Sequence, residues 1–411
     1  MNTSLVRWID RIIGVPCCFA VSLLLRMAHA VAAFGDSKEP PRKILFLKPA
    51  EQGATVLAVP AFEEAAARLG AENVHVMVFQ RNREIVDLLG IIPSGNVLTI
   101  RDSGLAVFVI DMLRFLWRAR SLQIDTTVDL EFFARFTALL AVMTGARIRV
   151  GLHRFAGEGV YRGDLMTHRI QFSPYLSTAE LYLSMARAAW EHDCSPPMLK
   201  APAERVLESR RPPRFQPPPE ETHKVQCLLA GLPGFPEGAF ADRRLVLFNP
   251  KFADELPVRK WPVEAYEELA GMLLDRYGDV LVLVIGLKCE AEAAAAFCQR
   301  LDKNRVFNLA GWLSLRELVV LCGMAEAIVG SDSGPAHFAA LTDCHAHVLF
   351  GPETPVLFRP LTPNATVYYR PTACSPCFNA YNNRVSTCTR NACMENIPVR
   401  EVFDGMVCQL G

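Results

Sequence analysis

Net charge of either sign is missing from this chain of 411 residues: Lys plus Arg and Asp plus Glu each number 43. No overall field attracts a nucleic-acid backbone, so any phosphate binding has to be local and nucleic acid is not an expected partner. Cysteine is present but not dense. The 13 cysteines are scattered, most of them within apolar stretches such as Val319-Val320-Leu321-Cys322, a pattern of reduced core thiols in a cytoplasm and not of a secreted disulfide scaffold. No Gly-x-Gly-x-x-Gly follows the first expected strand, which disfavours a nicotinamide dehydrogenase. Short tandem repeats are lacking too, and the one biased tract is rich in proline.

About half of the residues are hydrophobic, too many for one compact core and suited to two domains of ordinary size. From Lys43 to about Trp190, short β-rich runs alternate with helical ones. Strands are expected at 44–47, 74–78, 97–100, 126–130 and 147–150, with the clearest helices at 61–69, 83–89 and 133–143. Residues 196–219 then hold eight prolines, which excludes a regular helix or central strand and reads as a linker. A second alternation follows, with strands at 245–248, 280–285, 306–309, 327–329 and 346–349 and helices at 263–277, 290–301, 315–322 and 335–341. The resulting division is an apolar segment 1–38, a Rossmann-like domain 39–195, a Pro-rich linker 196–222, a second Rossmann-like domain 223–397 and a final helix 398–411.

The apolar run Ile12 to Leu25 has Arg7 and Arg11 before it and Arg26 after it. It is shorter than the roughly 20 residues a spanning helix needs, and no convincing cleavage site precedes Lys38. Apolar residues entering a lipid boundary with arginines at the headgroups describe an interfacial anchor, the reading preferred here. A true span, completed by Met27 to Phe34, and a segment packed on the protein are the alternatives.

The most informative stretch is Val329-Gly330-Ser331-Asp332-Ser333-Gly334-Pro335-Ala336-His337. It reads as a buried strand ending in a polar turn that opens a helix. Gly334 permits close backbone approach, Ser333 offers a hydroxyl, and Pro335 suits a first helical turn. Free N–H groups at that helix start would face an anion, with His337 projecting toward it. An ordinary connection capped by Asp332 or Ser333 would look similar.

Together with Lys43-Ile44-Leu45-Phe46-Leu47-Lys48 and Gly53, with Asp129-Leu130 leading to Gly145-Ala146-Arg147-Ile148-Arg149-Val150-Gly151, and with Lys260-Trp261-Pro262, this stretch resembles the lipopolysaccharide heptosyltransferases, glycosyltransferase family 9. Cys374-Ser375-Pro376-Cys377, Cys388 and Cys393-Met394 extend the resemblance. It covers Arg42 to about Val402. The resemblance implies the GT-B fold, an α/β architecture of two Rossmann-like doubly wound domains facing a central cleft, with the last helix packing back across the junction. It also implies an ADP-heptose or similar nucleotide-sugar donor. Asn249 and Lys260 then match phosphate-side positions, Glu290 the acidic residue on the ribose hydroxyls, and Asp332, Ser333, Gly334 and His337 the pyrophosphate turn. Glu292, on the same expected helix, competes with Glu290 for that role.

Glycosyl transfer requires a held pyrophosphate, stabilisation of the leaving charge and a base for the acceptor hydroxyl. No Asp-x-Asp metal motif is apparent, so Lys260 and backbone amides are expected to stabilise the leaving group without a cofactor. The family's Gly-Asp after the first strand is Gly53-Ala54 here, and alanine accepts no proton. Glu51 in the same loop and Glu131 after the fourth strand are the candidate replacements, while Thr55 is placed to hydrogen-bond the acceptor. Cys374, Cys377, Cys388 and Cys393 have the count of a structural zinc site, but only the first pair has its spacing. The expected function is metal-independent, inverting transfer of heptose or a related sugar to a lipid-linked saccharide, by an enzyme attached to the cytoplasmic face of the inner membrane. The rivals are a catalytically silent nucleotide-sugar-binding relative, motivated by Ala54, and a nucleotide-sugar epimerase of the same layout.

Overall fold

The computed structural model describes residues 10–31, 39–155, 157, 160–192, 195–198, 200, 204, 206, 210–236, 238–252, 257–381 and 385–411. The chain divides into two compact units, Met1–Val206 with Ala380–Asn383, and Leu207–Asn379 with Arg384–Gly411. The division falls inside the proline-rich segment, several of whose residues lie outside those described. The segment is shorter than expected at its far end, because a helix, Pro219–Ala230, already begins there. Proline at the first helical position gives up an N–H that has no partner in a helix anyway.

Each unit carries a six-stranded parallel sheet. In the first the order is β3-β2-β1-β4-β5-β6, built from β1 (Ile44–Leu47), β2 (Val74–Phe79), β3 (Val97–Ile100), β4 (Thr126–Asp129), β5 (Ile148–Leu152) and β6 (His168–Ile170). In the second it is β12-β11-β10-β7-β8-β9, from β7 (Arg244–Asn249), β8 (Val280–Val284), β9 (Val306–Asn308), β10 (Ala327–Ser331), β11 (His345–Phe350) and β12 (Ala365–Tyr369). Strands such as Ile44–Leu47 and Val280–Val284 are buried along their whole length, as a sheet covered on both faces requires.

Both orders reverse direction once. The chain moves outward from β1 to β3, then returns to place β4 on the other side of β1; β7 and β10 have the same relationship. Doubly wound sheets bind ligands at such a reversal, beyond the carboxyl ends of the two strands, where the loops diverge and leave room. In the first unit those ends are Leu47 and Asp129, paired in register; in the second they are Asn249 and Gly330.

The final helix, Val399–Leu410, buries Val402, Phe403 and Met406 in the core of the second unit, against helix Val263–Arg276. Trp261 lies in the same core and donates its indole N–H to the Ile397 carbonyl at 3.2 Å. Burial of an aromatic side chain of this size stabilises by about 3 kcal/mol, and the bond fixes the chain segment that carries Lys260.

The apolar N-terminal segment is a helix, Gly14–Val31, seated on the first unit. Cys18 is fully buried, and Asp10 pairs with Arg135 and accepts the Phe136 N–H at 3.0 Å. Gly163, at φ 65°, lets its loop close on the helix: a Cβ there would stand 2.2 Å from Ser22 Oγ and 2.7 Å from the Cys18 carbonyl oxygen. Among the described residues no helix is long and apolar enough to cross a membrane. The segment is thus packed on the protein along one face, while Phe19, Leu23, Leu24 and Met27 stay exposed on the other. The parts of the expected anchor at 1–9 and 32–38 lie outside the described residues.

Candidate functional site

In the second unit the two strand ends at the reversal are tied by side chains. Asn249 Nδ2 donates to Ser333 Oγ at 3.2 Å, and Ser333 Oγ donates in turn to the Ser331 carbonyl at 2.9 Å. Gly330 allows this closeness, since a Cβ there would meet Asn249 Cβ at 3.1 Å and its carbonyl at 3.2 Å. Ser333 stands at the start of helix Gly334–Ala339 in extended conformation, and its hydroxyl makes no cap to the helix. The ordinary capped connection is therefore not what the chain forms. The helix has only six residues, so its dipole is weak and any anion there relies mainly on local N–H groups and side chains.

Cationic groups come from the segment before Trp261. Arg259 Nη1 donates to the Asp332 carbonyl at 3.2 Å, and Lys260 Nζ to the Phe252 carbonyl. Asn391 closes the loop from behind, donating from Nδ2 to the Lys260 carbonyl at 2.7 Å and to that of Val258 at 3.3 Å. Arg259 and Asn391 are site residues that sequence reading misses. Arg259 is adjacent to a motif position, whereas Asn391 is over a hundred residues distant and carries no local signal. His337 is buried, its Nε2 3.9 Å from Asp332 Oδ1, and its Nδ1 has no hydrogen-bond partner. Glu290 is buried just beyond β8 and accepts the Leu287 N–H on Oε2 at 2.7 Å, while Glu292 is exposed. Of the two candidate acids only Glu290 is held inward.

In the first unit the reversal brings Lys48, Glu51 and Glu131 together. Lys48 follows β1 directly and its side chain is fully buried; Nζ donates to Glu131 Oε1 at 2.8 Å and to the Ala50 carbonyl at 2.6 Å. Glu131 Oε1 also accepts the Ala50 N–H at 3.2 Å. Burial pushes the Glu131 carboxyl above its usual range, the Lys48 ammonium pulls it back, and the Glu51 carboxylate pushes it up again. Glu51 has left-handed backbone at φ 66°, and its carboxylate lies 4.0 Å from Lys48 Nζ with 38% of the side chain exposed. Gly53, Ala54 and Thr55 fall in helix Gln52–Leu57, where Ala54 is buried and Thr55 turns its hydroxyl back to the Glu51 carbonyl at 3.2 Å. Thr55 is fully buried, so a direct bond to an acceptor does not fit its geometry. Asp129, also fully buried, pairs with Arg162 and accepts from Thr137 Oγ1 at 2.9 Å. Burial raises its carboxyl above the usual range against the pull of Arg162.

The thiols of the cysteine tail have polar neighbours of their own. Cys374 Sγ lies 3.1 Å from Thr372 Oγ1, Cys377 Sγ 3.5 Å from Ser386 Oγ, and Cys388 Sγ donates to the Arg390 carbonyl at 3.0 Å, while Cys393 is buried. Among the described residues no group of three or more His, Cys, Asp or Glu side chains is placed to hold a metal ion.

Residues 127–385 match the sequence profile of glycosyltransferase family 9 (heptosyltransferase). Lipopolysaccharide heptosyltransferase 2 of Salmonella typhimurium is 33% identical over 130 residues, 31% of this chain and 36% of that protein. Lipooligosaccharide heptosyltransferase 2 of Haemophilus influenzae is 34% identical over 129 residues, 31% of this chain and 36% of that one. The matched stretch thus spans about a third of the length of these curated relatives. In fold, the chain resembles Escherichia coli ADP-heptose LPS heptosyltransferase II, with a TM-score of 0.65 and 21% identity, covering 90% of this chain and 98% of that one. It also resembles Escherichia coli heptosyltransferase WaaC with ADP, with a TM-score of 0.62 and 15% identity, over 89% and 99% of the two chains. With more than half of its length matched by the profile and two doubly wound parallel sheets of the GT-B type, the chain belongs to glycosyltransferase family 9, the heptosyltransferases.

Proposed function

We propose that this chain transfers heptose, or a related sugar, from ADP-heptose or a similar nucleotide sugar to a lipid-linked saccharide of the bacterial envelope, by direct displacement with inversion and without a metal. The observation that carries the reading is the Asn249–Ser333 bond across the strand reversal of the second unit. It shapes a turn with N–H groups against which Arg259 rests, Lys260 following Arg259 in the chain and Glu290 held at the neighbouring strand end. A dianionic pyrophosphate is satisfied by that donor set, and an inward carboxylate suits ribose hydroxyls. On binding, Lys260 would exchange the Phe252 carbonyl for a phosphate oxygen.

The same proposal assigns Glu51 as the base that takes the acceptor proton, Glu131 being committed to the buried Lys48 ammonium. Lys48 and Glu131 are then positioning residues for the Glu51 loop. The reaction would occur where a cytosolic donor meets a lipid-linked acceptor, at the cytoplasmic face of the inner membrane. The exposed apolar side of helix Gly14–Val31 supports that placement.

Thermal-shift and calorimetric titration with ADP-, GDP- and UDP-sugars, followed by turnover with a lipid-linked core saccharide, tests the reading. Donor binding with nucleotide release that depends on the saccharide is the expected result. Binding without turnover would favour the silent relative that Ala54 suggests, and conversion of the donor without a second saccharide would favour an epimerase.

A further inference from the structure

The connections β3 to β4 and β4 to β5 cross the first sheet in one direction, so with right-handed crossovers their helices, Leu105–Ser121 and Arg135–Met143, cover one and the same face. Helix Gly14–Val31 packs beside Arg135–Met143 on that face, and Phe108 meets Phe136 at 5.4 Å between ring centroids on the opposite flank. The outer surface of this three-helix layer is apolar. Leu105, Val109, Leu113 and Trp117 recur at the four-residue spacing of a single helical stripe, with Trp117 70% exposed. On helix Gly14–Val31 Leu24 and Met27 are exposed, Phe19 and Leu23 are exposed beside a cavity formed with residues 153–154 and 161–164, and Met143 at the end of the middle helix is exposed as well. A row of exposed large apolar side chains such as Leu105, Val109, Leu113 and Trp117 marks an interaction surface.

The charges say what the surface meets. The exposed charged residues of helix Leu105–Ser121 are Arg114, Arg118 and Arg120. Its one carboxylate, Asp111, is buried and held in a paired contact by Arg101 at 2.7 and 2.9 Å. Helix Gly14–Val31 carries no acidic residue, and its Arg26, 72% exposed, pairs with Asp164 of the neighbouring loop. A second copy of the chain seated here by two-fold symmetry would set arginines against arginines. An anionic bilayer surface satisfies both features: apolar stripes enter the acyl boundary, arginines reach phosphates, and a tryptophan sits at the interface.

We propose that the three-helix face formed by Gly14–Val31, Arg135–Met143 and Leu105–Ser121 seats the first unit on an anionic lipid surface, with the Leu113–Trp117 stripe contributing independently of the N-terminal helix. The inference extends the membrane placement above to a second element, but the binding it describes does not depend on transferase activity.

The test uses the full chain and co-sedimentation with phosphatidylcholine vesicles, with and without phosphatidylglycerol. Leu113→Glu with Trp117→Glu should lower partitioning onto the anionic vesicles by about tenfold or more while leaving the melting temperature and nucleotide-sugar titration unchanged. Arg114→Glu with Arg118→Glu should abolish the preference for anionic over neutral vesicles. Leu105→Ser with Ile110→Ser, a milder pair, serves if the first variant melts early. Wild-type partitioning in all of these variants would overturn the proposal, as would failure of the wild type to bind anionic vesicles. Concentration-dependent self-association removed by the same substitutions would overturn it in favour of a dimer face. Failure of the wild type to bind any nucleotide sugar, with its vesicle binding intact, would instead indict the donor reading.

Discussion

The Lys48 ammonium lies 2.8 Å from the Glu131 carboxylate, with the lysine side chain wholly withdrawn from water. A buried pair of this kind contributes little net stability relative to an apolar pair, yet breaking it leaves a stranded charge. Glu131→Ala should therefore lower the unfolding free energy by about 3–5 kcal/mol in urea titration, whereas Lys48→Met with Glu131→Leu should cost far less than the single change. A loss from Glu131→Ala below 1 kcal/mol, about the worth of a surface ion pair, would contradict the assignment.

If Glu51 is the base, Glu51→Gln should keep donor affinity and reduce turnover by about 10²–10⁴-fold, the usual worth of general-base catalysis. Ala54→Asp should restore part of the rate in that background, by placing a carboxylate after Gly53, where the family resemblance implies one. Turnover unaffected by Glu51→Gln would shift the role to Glu131.

Lys260→Ala is expected to weaken nucleotide-sugar binding by about 1–3 kcal/mol, the scale of a charge-assisted hydrogen bond. Gly330→Val should do worse, because its Cβ would press on Asn249 and part the two strand ends. Calorimetry showing unchanged donor affinity in both variants would remove this site from consideration.

His347 supplies a pH signature. Its ring is buried, Nδ1 sits 2.9 Å from Tyr368 Oη, and burial holds its pKa down at about 3. The native state therefore binds fewer protons than the unfolded chain between that value and the ordinary 6.5. The contribution of His347 is fully present above pH 6.5 and is lost as pH falls toward 3, at up to about 1.4 kcal/mol per pH unit. Urea unfolding across this range should show a shallower acid loss in His347→Gln than in the wild type. Equal slopes would mean that His347 is not buried neutral.

The β-rich runs foretell ten of the twelve strands, because strands covered on both faces are uninterrupted apolar segments. Of the four edge strands, β6 and β12 escape. His168–Ile170 is three residues long and polar at its first two positions, and Ala365–Tyr369 is only partly buried. Helix Leu105–Ser121 is also poorly legible, since Val107, Val109 and Ile110 give it a β-rich and nearly all-round apolar start. Periodicity fails where both faces are apolar. The polar turn at 332–337 was readable from its glycine, serine and proline. Its tie to Asn249 was not, because that contact depends on β7 pairing with β10 across the strand reversal.

Glu51 is one of the few non-glycine residues with positive φ, at 66°. A β-carbon in that conformation costs on the order of 1 kcal/mol relative to glycine. Glu51→Gly should thus make the protein more resistant to unfolding while removing the carboxylate assigned to proton transfer. If Glu51 is the base, the most stable chain and the most active one are different sequences at this position, and a stability screen of the loop would select against activity.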